Sequence, residues 1–208
     1  MNNKILFING SPNEHGCTYT ALKEVADTLQ KHGIATEFLY LGKQPIAGCI
    51  ACGKCSTDHT CVFNDKVNEL LARIHEYDGI VIGSPVYYAG PAGQLCAFLD
   101  RLFYSGSYHM RGKLAAAVVS CRRAGSSAAL DRLTKYFTIS NMNVVGSQYW
   151  NMVHGSCPDD VRQDSEGLQT MRALGENIAW MLRNLAAGEQ AEVAPVEKEK
   201  RVWTNFIR

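Results

Sequence analysis

Charge of one sign, long apolar runs and paired histidines are all scarce in this chain, and each shortage removes a class of function. Lysine and arginine total 21 against 20 aspartates and glutamates, a formal net charge of +1 over 208 residues. Without a basic excess there is no electrostatic footprint for a phosphate backbone, so no nucleic-acid partner is expected. No stretch approaches the roughly 18 apolar residues that a membrane-spanning helix needs. The apolar run entered at Ile5 ends by Asn9, too brief and too weakly basic for a signal peptide. A cytoplasmic protein with no membrane partner is therefore expected. The histidines, at positions 15, 32, 59, 75, 109 and 154, show no HxxxH or other ligand spacing, and no Ser/His/Asp set stands out. They read as surface or capping residues, with His154 set apart because it follows the last predicted strand.

What remains is ordinary globular material, 46% hydrophobic and 20% charged, with enough apolar mass for one core and a length below the ~250 to 300 residues at which chains usually divide. Strand and helix patterns alternate throughout. Lys4 to Asn9 (KILFIN) is an apolar β-prone run stopped by Gly10. Thr18 to Lys31 carries Ala21, Leu22, Val25, Ala26 and Leu29 at helical spacing, with Gly33 placed to end the helix. Ala35 to Leu41 reads as a strand, and a helix capped by Asn64 or Asp65 runs through Ile74. Residues 79 to 84, GIVIGS, form a near-continuous apolar strand stopped by Pro85, as in a parallel sheet covered on both faces. A helix from Ala92 to Tyr104, a strand from Lys113 to Ser120, a helix from Ser127 to Ile139, a strand from Asn143 to Tyr149 and a helix from Glu166 to Ala187 complete the series. The order predicts an α/β fold, a doubly wound five-stranded parallel sheet of flavodoxin-like order 2-1-3-4-5. Residues 1–188 make the domain, and 189–208 make a polar tail whose aromatic end, Trp203 and Phe206, is suited to docking on the same or a neighbouring subunit.

Ligands of such sheets bind beyond the carboxyl ends of the strands. The first loop there, GSPNEHGCT, offers Ser11, Asn13, Cys17 and Thr18 around Gly10 and Gly16 and leads directly into a helix. Backbone amides at a helix N-terminus, with hydroxyl donors beside them, form a phosphate site without a lysine. The loop matches neither GxGxxG nor GxxxxGK[ST], so a single phosphomonoester fits better than a dinucleotide or a nucleoside triphosphate. The bland alternative is a plain turn in which Thr18 or Ser11 caps the helix. After the third strand, Pro85 and Gly90 bracket Val86, Tyr87 and Tyr88, a turn whose amides and rings can line a flat heterocycle. Ser120 opens a polar loop in which Arg122 or Arg123 can reach an anion.

The pair of segments GSPNEHGCT and GSPVYYAGPAGQLCAFLDR resembles the flavodoxin-like NAD(P)H-dependent FMN reductases over roughly residues 1 to 188. The resemblance implies noncovalent FMN, its phosphate at Ser11, Asn13, Gly16, Cys17 and Thr18. Its ring would lie along Pro85, Val86, Tyr87, Tyr88 and Gly90, with Ser120 and Arg122 completing the pocket. Cys17 stands where many relatives carry Asn, and a thiol is a weaker donor than an amide. Homodimers or homotetramers are implied as well, consistent with loops too shallow to wall a bound ring alone.

Eight cysteines are present, four of them, Cys49, Cys52, Cys55 and Cys61, within the long loop 42–63. A secreted disulfide scaffold is normally short and poor in core, so clustered cysteines here read as metal, cluster or redox chemistry. Cys96 lies on an apolar helical face and reads as a small core residue, while Cys121 and Cys157 fall in loops at the ligand edge. The spacing Cys-x2-Cys-x2-Cys-x5-Cys resembles the compact motif of the iron-sulfur flavoproteins, which implies a [4Fe-4S] cluster beside FMN. Zinc takes the same ligands, though usually as two separated pairs, and an empty reduced loop is the third alternative.

The expected function is an FMN-dependent oxidoreductase that accepts hydride from NAD(P)H and passes electrons to a quinone-like or other small-molecule acceptor, the flavin doing the chemistry. The rivals are an iron-sulfur electron carrier between proteins and a flavin-binding regulatory module without turnover.

Overall fold

The computed structural model describes residues 2–194 together with 196, 197, 199, 200, 202 and 204. Its strands are Lys4–Asn9 (β1), Ala35–Tyr40 (β2), Gly79–Tyr87 (β3), Gly90–Pro91 (β4), Leu114–Cys121 (β5), Asn143–Val144 (β6) and Met152–His154 (β7). The helices are Cys17–Lys31 (α1), Cys55–Asp58 (α2), Lys66–Arg73 (α3), Gly93–Met110 (α4), Ser126–Ile139 (α5), Pro158–Gln163 (α6) and Ser165–Gln190 (α7). The sheet path β2-β1-β3-β5-β6 is parallel throughout, the doubly wound, flavodoxin-like order expected from the sequence. Alternate residues of the strands serve two separate cores. Ile5, Phe7, Val81 and Val118 pack under α1 and α7, with Leu29 and Ile178. Leu6, Ile8, Ile80 and Val119 pack under α3, α4 and α5, with Leu70, Phe98 and Phe137. All eight residues of β5 are buried, as a strand covered on both faces must be.

Local chemistry explains where these elements stop. Gly33, at φ +71°, follows His32, the C-cap of α1, and its N–H and that of Ile34 donate to Gln30 O (3.0 Å) and Leu29 O (3.1 Å), a Schellman closure that glycine makes cheaply. Asp65 caps α3 by accepting the Val67 N–H at 3.1 Å.

Several sequence expectations are corrected. The sheet has seven strands, because the single strand predicted over 143 to 149 is divided: β6 pairs with the start of β5 and β7 with its end. Between them the Ser147 hydroxyl bonds Tyr149 O (2.6 Å) and Asn151 Oδ1 (2.7 Å), local bonds that compete with the ladder. Pro85 does not stop β3. It pairs with Ser120 of β5 at a level where the β1 pairing has already ended, at Gly83, and proline is tolerated where a strand has become an edge. The α4 helix continues to Met110, α2 and α6 are additional, and α7 passes through residue 188 to Gln190. Trp203 and Phe206 lie outside the described residues. Among the described residues no helix is long and apolar enough to cross a membrane.

Candidate functional site

The ends of β1, β3, β5 and β7 converge on a cavity of about 330 Å³. The first loop and the start of α1 supply Ser11, Asn13, Cys17 and Thr18, the end of β3 supplies Pro85, Val86 and Tyr87, and the end of β5 with the turn after it supplies Ser120, Cys121 and Arg122, with Gly155 and Ser156 closing the wall. Gly16 is the N-cap of α1 and makes no side-chain cap, so neither Thr18 nor Ser11 acts as the plain cap of the alternative reading. The first-turn amides, with their share of the helix dipole, therefore face the cavity end without a side-chain acceptor. Thr18 and Ser120, both buried, share a 2.8 Å hydroxyl bond that ties α1 to β5. Arg122 is the one arginine or lysine in the wall, which biases the space toward an anion.

Two buried polar residues hold this edge in shape, and the sequence reading did not pick them out. The Asn9 carboxamide accepts the Ser11 N–H (3.1 Å) and donates to Glu14 O (2.9 Å), bracing the first loop from both sides. Ser84 accepts the Ala92 N–H (2.9 Å) and donates to Pro85 O (2.8 Å), fixing the hairpin that carries Val86 and Tyr87. A polar residue closing an otherwise apolar run of sequence was the available signal in both cases. Gly125, at φ +87°, lets the two loops meet, since a Cβ there would lie 2.8 Å from Ala89 Cα.

Other predicted residues fall beside the cavity. Tyr88 is fully exposed, and with Ala89 it forms the two-residue turn between Tyr87 and Gly90 of β3 and β4. Both central residues have positive φ, +49° and +57°, a conformation that strains residues carrying a Cβ. His154 lies in an adjoining groove with Trp150 and Asp164. Burial pushes the Cys17 thiol up, and Cys157 and Asp160 nearby push it further. It therefore stays a neutral donor, and its Sγ reaches Gly155 O at 3.7 Å. Burial also raises Cys121. Cys157 sits outside the cavity at the start of α6.

The four clustered cysteines surround a second cavity, of about 280 Å³, with Arg101 and Tyr104 of α4 on its wall. No three His, Cys, Asp or Glu side chains among the described residues are gathered closely enough to hold one metal ion. The four thiols thus share one lining without converging on a point, as a single tetrahedral ion would require. N–H groups already point at sulfur: Ala51 N donates to Cys49 Sγ at 3.4 Å, and Arg101 Nε donates to Cys61 Sγ at 3.1 Å. These features fit a larger anionic group held by thiolates.

The sequence model for the NADPH-dependent FMN reductases matches residues 3–156. The chain belongs to that family. Membership in the FMN reductases makes it a flavin-binding oxidoreductase, and the matched span ends at Ser156, the last residue of the first cavity's wall. An iron-sulfur flavoprotein of Methanocaldococcus jannaschii is 33% identical over 188 residues, 86% of this chain and 97% of the relative. Another protein of that description, from Methanosarcina thermophila, is 26% identical over 183 residues, 86% of this chain and 95% of its own length. Among solved structures, the Trp repressor binding protein of Bacillus subtilis superposes with a TM-score of 0.62 at 21% identity, over 82% of this chain and 99% of its own. At that identity the likeness concerns the FMN reductase fold alone.

Proposed function

We propose that this FMN reductase family member carries electrons between FMN in the first cavity and a [4Fe-4S] cluster on the cysteine loop, serving a small-molecule acceptor or a redox partner. The observation that carries this reading is the ring of four thiols around one cavity, with Arg101 and the Ala51 amide already directed at sulfur. Curated relatives described as iron-sulfur flavoproteins support it. FMN, when bound, supplies the exchange between two-electron and one-electron chemistry, and the cluster would supply one-electron storage.

The chain's own contribution is binding and orientation. The Ser11 and Thr18 hydroxyls, the Asn13 side chain and the first amides of α1 would hold the phosphate, with Cys17 as a weak neutral donor. Pro85, Val86 and Tyr87 would flank the ring, and Ser120 and Arg122 would close its polar side. Cys49, Cys52, Cys55 and Cys61 would ligate the cluster. No side-chain acid or base is needed, and none of the wall residues is a carboxylate. The open edge is suited to a second subunit as its outer wall, and a flavin-active monomer on gel filtration would remove that part.

The family description favours a second reading, an NAD(P)H-linked reductase of quinone-like acceptors with an empty loop. An anaerobic absorption spectrum with iron and sulfide analysis, taken before and after NADPH, separates them. Flavin bands on a broad visible shoulder, with equal iron and sulfide, are expected. A two-band flavin spectrum that NADPH bleaches, without iron, would sink the cluster reading and leave the reductase.

A further inference from the structure

Arg101 is the largest fully buried side chain of the protein, 1% exposed, in the middle of α4 on the face that also buries Phe98 and Leu102. A guanidinium is almost never buried without dedicated partners. Here Asp65 takes two of its N–H groups in a fork, at 2.7 and 2.8 Å, which alone would satisfy an ion pair. The remaining donors go to the cysteine loop. Nε–H points at Cys61 Sγ (3.1 Å), the Ala47 and Phe63 carbonyls accept at 3.2 and 3.5 Å, and the Phe63 ring lies against the guanidinium at 4.7 Å. One side chain thus grips the loop ahead of its first cysteine, at its last cysteine and at its exit.

We propose that Arg101 is a positioning residue that sets the electron affinity of the cysteine loop, through its charge-assisted N–H···S bond to Cys61. The assignment rests on the cluster reading above. Adding one electron to a thiolate-bound cluster adds one negative charge, and a buried cation with an N–H donor on sulfur favours the reduced form. Asp65 offsets the guanidinium charge, so exchanging both groups for neutral ones leaves the net charge unchanged and removes the N–H donor on Cys61. Such a loop is harder to reduce.

The test is an anaerobic potentiometric titration of the iron-loaded protein, with dithionite as electron donor and the cluster followed by electron paramagnetic resonance. The double variant Arg101→Met/Asp65→Asn removes both charges while Asn keeps the cap of α3, a replacement that buried ion pairs tolerate. Its cluster midpoint is expected to fall by at least a tenfold loss of electron affinity, 59 mV for a one-electron couple, with FMN binding unchanged. Arg101→Lys keeps the charge but cannot serve Asp65 and Cys61 together, so its midpoint lies between the two and carries the test if the double variant does not fold. An unmoved midpoint with iron and sulfide retained overturns the inference. Loss of iron from a folded variant also overturns it, because Arg101 would then build the loop without tuning it. A wild-type protein that takes up no iron and sulfide instead overturns the cluster reading, and the inference with it.

Discussion

The two cavities are built on opposite plans. Around the first, two short turns are held by the strands they leave: Asn9 braces the turn after β1, and Ser84 braces the β3–β4 hairpin. The cysteine loop departs from β2 and takes its anchors from elsewhere in the chain, Arg101 on α4 and Asn68 on α3. The Asn68 side chain accepts the Cys61 N–H at 2.8 Å and donates to Cys61 O and Phe63 O. Loop length decides this difference, since a short turn can be closed by its neighbours and a long one must be pinned by distant residues.

If the cavities are independent, the sharpest way to show it is Cys52→Ser. Cys52 is exposed and forms no disulfide, so the expected result is complete loss of iron with flavin content unchanged, and flavin lost in parallel would show that the regions are coupled. Next in size is Arg101→Ala, which leaves Asp65 without its counter-charge and is expected to cost about 3 kcal/mol in urea unfolding. The same pair sets an acid limit. Burial would raise the Asp65 carboxyl, but the Arg101 and Val67 hydrogen bonds outweigh it and hold the group below its ordinary value. A lowered folded-state pKa stabilises above the unfolded value near 3.9 and is lost as pH falls through the folded one. Unfolding scans below about pH 4 should therefore show a steeper loss in the wild type than in the Arg101→Met/Asp65→Asn variant.

On the other side of the comparison, Asn9→Ala removes both braces of the first loop and is expected to weaken FMN binding by about 1 to 3 kcal/mol. Quenching of flavin fluorescence on titrating apoprotein would read it, and iron content should not change. The smallest effect belongs to Ala89→Gly, which relieves a positive φ in the β3–β4 turn. A gain of about 0.5 to 1 kcal/mol in thermal or urea unfolding is expected, and a loss would show that the turn is not strained.

The contrast also explains what could be read without coordinates. The strand–turn–helix segments around Gly10 and Pro85 are local patterns, so the sheet order and most of the first cavity's wall follow from them. The divided last lane was hidden because Ser147 satisfies backbone groups that a strand pattern assigns to the ladder. Arg101 was hidden differently: its partners lie 36 to 54 positions away, and periodicity carries no information at that range. A charged residue at helical spacing from Phe98, on an otherwise apolar face, was the trace it left.

Asp65 has both oxygens committed, Oδ1 to the Val67 N–H and Arg101 Nη2, and Oδ2 to Arg101 Nη1. That double duty turns a contact into a sequence signature: four cysteines, an aspartate four positions past the last, and an arginine 36 positions beyond it. A homologue that keeps the cysteines but lacks the aspartate must start the following helix and neutralise its arginine by other means. Sorting homologues on that trio of features would separate loops pinned as this one is from loops that merely share its cysteines.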